Sequence, residues 1–173
     1  TDRTCTFTVA ASTTGTCNYT VQSGDTTSDL TVSTISGTIN DAALNAMSNF
    51  VPATNLATNK ALVIDTTAPI LSEVTPVTTP TVDHTPNYTF NSDEAGDISY
   101  GGSCTSATTT ATVGDNTITF DTLSDGVYND CTITVTDASS NASDPLTVSE
   151  FEVITDTTAP ILSEVTPVTT PTV

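Results

Sequence analysis

The sequence predicts an all-β protein built of tandem antiparallel β-sandwiches, and three observations predict it. Apolar residues alternate with period two along most of the chain, while helical periodicity is almost absent. The alternating stretches are short and separated by Gly, Asp and Asn turns, as strands of a sandwich are. The eighteen residues DTTAPILSEVTPVTTPTV occur twice, at 65–82 and again at 156–173. A period of 91 positions is too long for a short solenoid and has the size of a small autonomous domain. The repeat divides the chain into a module with its opening strands missing (1–64), a complete module (65–155) and the opening segment of a next one (156–173).

In residues 4–10, Cys5, Phe7 and Val9 fall on one face; in residues 16–22, Cys17, Tyr19 and Val21 do the same. A short Ser/Thr/Gly connection makes the pair a β-hairpin with both cysteines on its buried face. Gly24 and Asp25 mark a turn before a strand at 30–35. Residues 36–58 read as irregular chain, with room for one helical turn in the Ala-rich part. The apolar run KALVI, residues 60–64, reads as the closing strand of the first module.

The second module opens on Pro69, Pro76 and Pro80, which forbid a central strand and predict a broken edge strand over 70–82. Strands follow at 87–91, 97–100, 106–113, 116–123 and 127–136. In the last of these Cys131, Ile133 and Val135 face inward and Thr132, Thr134 and Thr136 outward. Leu146 and Val148 set one register and Phe151 and Val153 the other, so a bulge is expected near Glu150. Threonine suits this design, being β-branched for the sheet and hydroxylated for its wet face. Tyr128 stands three residues before Cys131, where a tyrosine corner has two, which argues against a true corner.

Four cysteines allow three pairings, and the repeat boundary separates them two and two. Cys5–Cys17 and Cys104–Cys131 are the bonds expected, implying an oxidising, extracellular compartment; reduced core thiols are the other reading. Twenty acidic residues face only Arg3 and Lys60, a formal charge of −18. That balance excludes nucleic acid as a natural partner and disfavours an anionic membrane surface. No apolar run has the length of a membrane span, so no membrane insertion is expected in this segment. Divalent cations are the natural counter-charge, unless acidity only keeps the protein soluble.

The runs INDAALNAM and KALVIDTTAP resemble the closing motif of bacterial Ig-like repeats in large surface adhesins and biofilm-associated proteins. TITVTDASSNAS followed by FEVITDTTAP looks like the same motif in the second module, and TVQSGDTTSDL is similar to another stretch of such repeats. The resemblance covers nearly the whole chain and implies stacked Ig-like sandwiches, stiffened in some relatives by Ca²⁺ at the junctions. It departs at one place: Leu44 and Ser140 stand where the family's Asp-Ala-x-Gly-Asn turn has glycine. If that glycine supplies a positive φ, the turn must differ here.

Calcium takes six to eight oxygens, mostly from carboxylates and carbonyls. The resemblance implies one site from Asp65 in the linker with Asp41 and Asn45 upstream, and another from Asp156 with Asp137 and Asn141. Asp93 and Glu94 form a further acidic loop that can face the preceding linker. The bland reading is that these residues are ordinary turn formers. Catalysis has little to stand on. His84 is the sole histidine, tryptophan is absent, and no aromatic cleft accompanies the carboxylates.

The expectation is a non-enzymatic extracellular or cell-surface repeat, a stalk or filament stiffened by disulfides and junction Ca²⁺. An accessory spacer or carbohydrate-binding module of a secreted enzyme is the alternative. The partners expected are neighbouring modules or copies of the same protein, including a head-to-tail fibre. In such a fibre, residues 156–173 of one chain complete residues 1–64 of the next, covalently or by strand donation; an arbitrary segment boundary is the mundane alternative.

Overall fold

The structure, a computed structural model, describes residues 3–9 and 14–163. Expectations for 164–173 and for the end of the first hairpin strand at Ala10 lie outside them. All strands among the described residues fall between Leu71 and Val153: β1 Leu71–Thr75, β2 Asn87–Ser92, β3 Gly96–Gly101, β4 Thr110–Ala111, β5 Gly114–Thr119, β6 Gly126–Tyr128, β7 Thr132–Thr136, β8 Leu146–Thr147 and β9 Phe151–Val153. Every ladder is antiparallel. One sheet has the order β1-β2-β5, another β4-β3-β7-β8, and β6-β9 forms a two-stranded third.

The alternation read from sequence sets the faces. Tyr88 and Phe90 of β2 and Ile118 of β5 point inward from one sheet, Ile98 of β3 and Ile133 and Val135 of β7 from the other. All six are buried in one core with Phe120, Val148, Phe151 and Val153. The protein is therefore almost wholly β, with antiparallel sheets meeting across a shared apolar core.

The proline-rich opening behaves as its chemistry requires. β1 is an edge strand, paired on one side only, and stops at Thr75 just before Pro76. The chain then crosses over, and Thr81 bridges Val153 in parallel: Thr81 N donates to Glu152 O (2.9 Å) and Ile154 N to Thr81 O (2.9 Å). His84 fastens the next turn, its Nδ1 donating to Leu123 O at 2.7 Å while Leu123 N donates to His84 O at 2.8 Å.

Three expected strands come out differently. The 106–113 strand shrinks to β4, and the 127–136 strand splits into β6 and β7, which join different sheets. The expected bulge at Glu150 is a full break, with β8 paired to β7 and β9 to β6. Glu73 of β1 makes the break tolerable. Its carboxylate accepts from Ser149 N (2.9 Å), Ser149 Oγ (2.7 Å) and Tyr88 Oη (3.0 Å), supplying the partner that the interrupted ladder withholds. Partial burial pushes the Glu73 carboxyl up, but the Ser149 and Tyr88 hydrogen bonds outweigh it and hold it below its ordinary value.

The split also gives Tyr128 the contact that its spacing argued against. Its hydroxyl donates to Ser124 O at 3.0 Å and its ring stacks on Phe151 at 5.2 Å, so a corner-type bond forms. The extra residue before Cys131 is absorbed in the irregular chain between β6 and β7.

Residues 3–64 depart furthest from expectation. Among those described, the hairpin of 4–10 and 16–22 and the 30–35 strand form no ladder, and the one regular element is a helical turn, α1 Leu56–Asn59. It lies beyond the Ala-rich stretch expected to hold it. The closing strand expected at 60–64 does not form either, although the run is hydrogen-bonded: Thr27 N to Ile64 O (2.8 Å), Ile64 N to Thr27 O (2.9 Å) and Leu30 N to Leu62 O (2.8 Å). Val21, Val32, Val51 and Val63 are exposed, and none of the described residues in 3–64 covers their apolar face. An amphipathic strand without a cover gains too little burial to offset its ordering cost.

Polar contacts hold this region instead. Buried Asp25 accepts from Arg3 Nε (2.8 Å), Tyr19 Oη (2.7 Å) and Gln22 N (2.9 Å), and the Arg3 contact leads in lowering its carboxyl to about 2. The disulfides join Cys5 to Cys17 and Cys104 to Cys131. Cys104 and Cys131 are buried, whereas Cys5 and Cys17 are exposed, not on a buried face as the hairpin reading had them. Two disulfides belong to an oxidising compartment.

Candidate metal centre

The same turn is built twice. In DAALNA and DASSNA the leading aspartate folds the chain back on itself. Asp41 Oδ1 accepts from Ala43 N and Asn45 N, both at 2.9 Å, and Asp137 Oδ1 accepts from Ser139 N and Asn141 N, both at 2.8 Å. Asn45 Nδ2 donates to Asp41 Oδ2 (2.9 Å) and Asn141 Nδ2 to Asp137 Oδ2 (2.8 Å). Matching bridges, Asn40 to Ala46 and Thr136 to Ala142, close both loops. In each, the asparagine side chain is the leading cause that holds the aspartate below its ordinary value.

The missing glycines do not change the geometry. Leu44 has φ 66° and Ser140 φ 70°, the left-handed conformation that glycine would adopt freely. The expectation of an altered turn is thus corrected: the turn is kept and strain is accepted. A non-glycine residue there costs about 1–2 kcal/mol, and replacing it with glycine adds back about 0.4–1 kcal/mol of unfolded-state entropy. Ser140→Gly should therefore stabilise the 65–155 unit by about 0.5–1 kcal/mol in urea unfolding, the net of those terms. Leu44→Gly should show the same sign for the first turn, because Leu44 is exposed and loses no packing.

Three elements converge at one end of the sheets. β7 ends at Thr136 and hands Asp137 to its turn; β2 ends at Ser92 and β3 begins at Gly96, which places Glu94 in the tight loop between them. Leading into β1, the linker passes the same end, and Asp93 pins it there: Asp93 Oδ1 accepts from Ile70 N at 2.6 Å. One ligand oxygen each of Asp65, Glu94 and Asp137 thereby comes within 4.8 Å of the other two, at half-buried positions. Asn141 Nδ2 ties the linker down by donating to Asp65 O at 3.2 Å. Burial, then the nearby charges of Asp65, Asp137 and Asp93, raise the Glu94 carboxyl above its ordinary value.

The groupings expected from sequence are rearranged accordingly. Asp65 joins the turn that follows it in sequence, Asp137–Asn141, and not the upstream Asp41–Asn45 turn. The cause is topological: the linker into β1 lies at the end of the sheets where β7 ends. Asp156 is likewise not with Asp137. β9 runs antiparallel to β6, with Val153 opposite Gly126, so the chain leaves beside Asp125 at the other end of the sheets. There Thr155 Oγ1 donates to Asp125 Oδ1 at 3.0 Å, and Asp156 is exposed. Of the expected ligands, Asp65, Glu94, Asp137 and Asn141 are assembled, Asp93 serves the backbone, and Asp41, Asn45 and Asp156 stand apart.

Sequence reasoning missed Thr66. Its hydroxyl accepts from Gly24 N (2.9 Å) and donates to Asp25 O (3.2 Å), fixing the linker to residues 24–25 one position after Asp65 is fixed to Asn141. Its recurrence as Thr157 was the available signal.

No family model, curated protein or solved structure matches the chain.

The donor set suits a hard cation. Oxygens about 2.3–2.6 Å from one Ca²⁺ lie no more than about 5 Å apart, and the three carboxylates satisfy that. Their mutual repulsion, visible at Glu94, is what a divalent ion would relieve. Asp65, Glu94 and Asp137 would hold it; Asn141 positions two of them.

Proposed function

We propose that the chain is a non-enzymatic, extracellular structural repeat. In this reading residues 65–155 form an Ig-like sandwich within a tandem array, the stalk or filament of a bacterial surface adhesin or matrix fibre. The observation that carries it is the repeated segment acting as a joint, with Thr66 bonded to the residues before it and Asp65 to the turn after it. The facing orders β1-β2-β5 and β4-β3-β7-β8 support the Ig-like part. So does the Tyr128 hydroxyl bond to Ser124 O.

Function here is mechanical. Ca²⁺ held by Asp65, Glu94 and Asp137 would supply charge neutralisation and join the linker to two loops of the following module, fixing the angle between neighbours. Disulfides keep each unit from unravelling, as an extracellular protein under tension needs. No described helix is long and apolar enough to cross a membrane.

Chelation is the test. Calcium at a hundred times its dissociation constant should stabilise the protein by about 2.7 kcal/mol, and EDTA should lower the melting temperature and shorten the particle in small-angle scattering. If EDTA changes neither, junction calcium is out.

Glu94→Gln gives the sharper form. The Glu94 carboxyl is raised in the folded state, so its ionised form destabilises the metal-free protein above that value, and stability is recovered as pH falls through it. Removing the charge should raise the metal-free stability at neutral pH by a few tenths of a kcal/mol, the scale of half-exposed charge pairs. The same change should abolish the calcium increment. A variant that loses stability without metal would contradict the assignment.

A further inference from the structure

We propose that the Asp41–Asn45 turn and the groove beside it are a docking site for residues 156–163 of a second copy of this chain. This contact rests on the fibre reading and names the interface between copies; its geometry comes from the duplicated turn.

The first observation is the duplication. The two turns share five backbone and side-chain hydrogen bonds atom for atom, differing by no more than about a tenth of an ångström in each. At Asn141 the side-chain amide also holds Asp65 O, the first residue of the DTTAP segment. Among the described residues the amide of Asn45 has only Asp41.

The second is the groove. Phe7, Val9, Ile39 and Met47 line an open cleft whose polar rim is Asp41 and Asn45. Ile39 stands two residues before its turn, as Val135 stands before Asp137. Val135 is wholly buried in the core, while Ile39 is half-exposed. The turn is complete, but its apolar side lacks the cover its twin has.

The third is the ligand. Residues 156–163 carry the same letters as 65–72. In the first copy Pro69 is buried and Leu71 packs against the core, while Ile70 is exposed; in the second Pro160 is exposed and Leu162 is 96% exposed. The segment already holds the local shape it uses when docked, since Thr158 N donates to Asp156 Oδ1 at 2.7 Å as Thr67 N does to Asp65 Oδ1 at 3.0 Å. Docking sets the carbonyl of Asp156 on Asn45 Nδ2 and lays Pro160 and Leu162 into the cleft, as Pro69 is buried and Leu71 packs inward in the first copy. Site and ligand are different patches of one chain, so the contact is heterologous and propagates head to tail.

The test uses the ¹⁵N-labelled 173-residue chain and an unlabelled synthetic peptide of residues 156–173. Binding should shift the amides of residues 41–47 and of Phe7. A peptide carrying Leu162→Asp should bind about tenfold or more weakly, since it forfeits most of a buried leucine. In sedimentation the average mass of the full chain should rise with concentration, and the Leu162→Asp chain should stay monomeric. No shifts at millimolar peptide, shifts confined to residues 137–143, or equal binding of the Leu162→Asp peptide would each overturn the proposal. Those failures, with chelation still shortening the particle, would leave the calcium-stiffened stalk standing and remove only this contact.

Discussion

Phe120→Ala should destabilise the 65–155 unit by about 3–5 kcal/mol, the range for deleting a well-packed core aromatic. Phe120 is 1% exposed and stands between two other rings, its centroid 6.0 Å from Tyr88 and 6.0 Å from Phe151. Tyr88 belongs to the β1-β2-β5 sheet and Phe151 to the β6-β9 pair, with Tyr128 stacked beyond it. Removing the middle ring empties the place where two sheets meet. The backbone is also committed, because Phe120 N donates to Pro86 O at 3.1 Å. Urea unfolding followed by tyrosine fluorescence measures the loss. Val113→Ala is the control; Val113 is exposed, and its truncation should change stability by less than about 0.5 kcal/mol. A small loss at Phe120 would mean that the two sheets do not share one core.

How much of this was legible in sequence depends on what each signal encodes. Alternation encodes faces, so Cys131, Ile133 and Val135 are inward as expected. It does not encode what covers a face, and the strands expected in residues 3–64 fail for that reason, although Phe7 and Val9 alternate as well as any. Alternation also cannot distinguish a bulge from a change of sheet. Leu146 and Phe151 carry conflicting registers under either, and the Glu73 contacts that decide between them come from 76 positions away in sequence.

The candidate site shows the same division. Its residue types were legible, since Asp65, Glu94, Asp137 and Asn141 were all chosen from turn chemistry, repetition and resemblance. Their grouping was not. Proximity in sequence joined Asp65 to the turn just before it, whereas strand direction delivers it to Asn141, 76 residues later. The glycine rule failed in an instructive way. Leu44 and Ser140 keep the positive φ that glycine would supply, so the missing glycine marks an energetic penalty at the position and not a different turn.

Removing the Cys104–Cys131 bond, by Cys104→Ser with Cys131→Ser, should cost about 2–4 kcal/mol of stability in the 65–155 unit. Both residues are buried in the core, and the bond closes a loop of 27 residues that contains β4, β5 and β6. Without it the unfolded chain gains the freedom of that loop, and two hydroxyls replace sulfur in an apolar setting. Cys5→Ser with Cys17→Ser should leave the same melting transition within about 0.5 kcal/mol, because that pair is exposed and belongs to the region outside the sheets. The asymmetry has a mechanical consequence for the proposed stalk. A unit pulled between Asp65 and Asp156 is loaded through β1 and β9, and the Cys104–Cys131 bond lies between those points, so 27 residues of chain cannot be drawn out when the sheets give way. Single-molecule pulling should therefore show a longer extension per unfolding event for the Cys104→Ser, Cys131→Ser chain than for the oxidised one. Equal extensions would mean the bond does not lie across the load path.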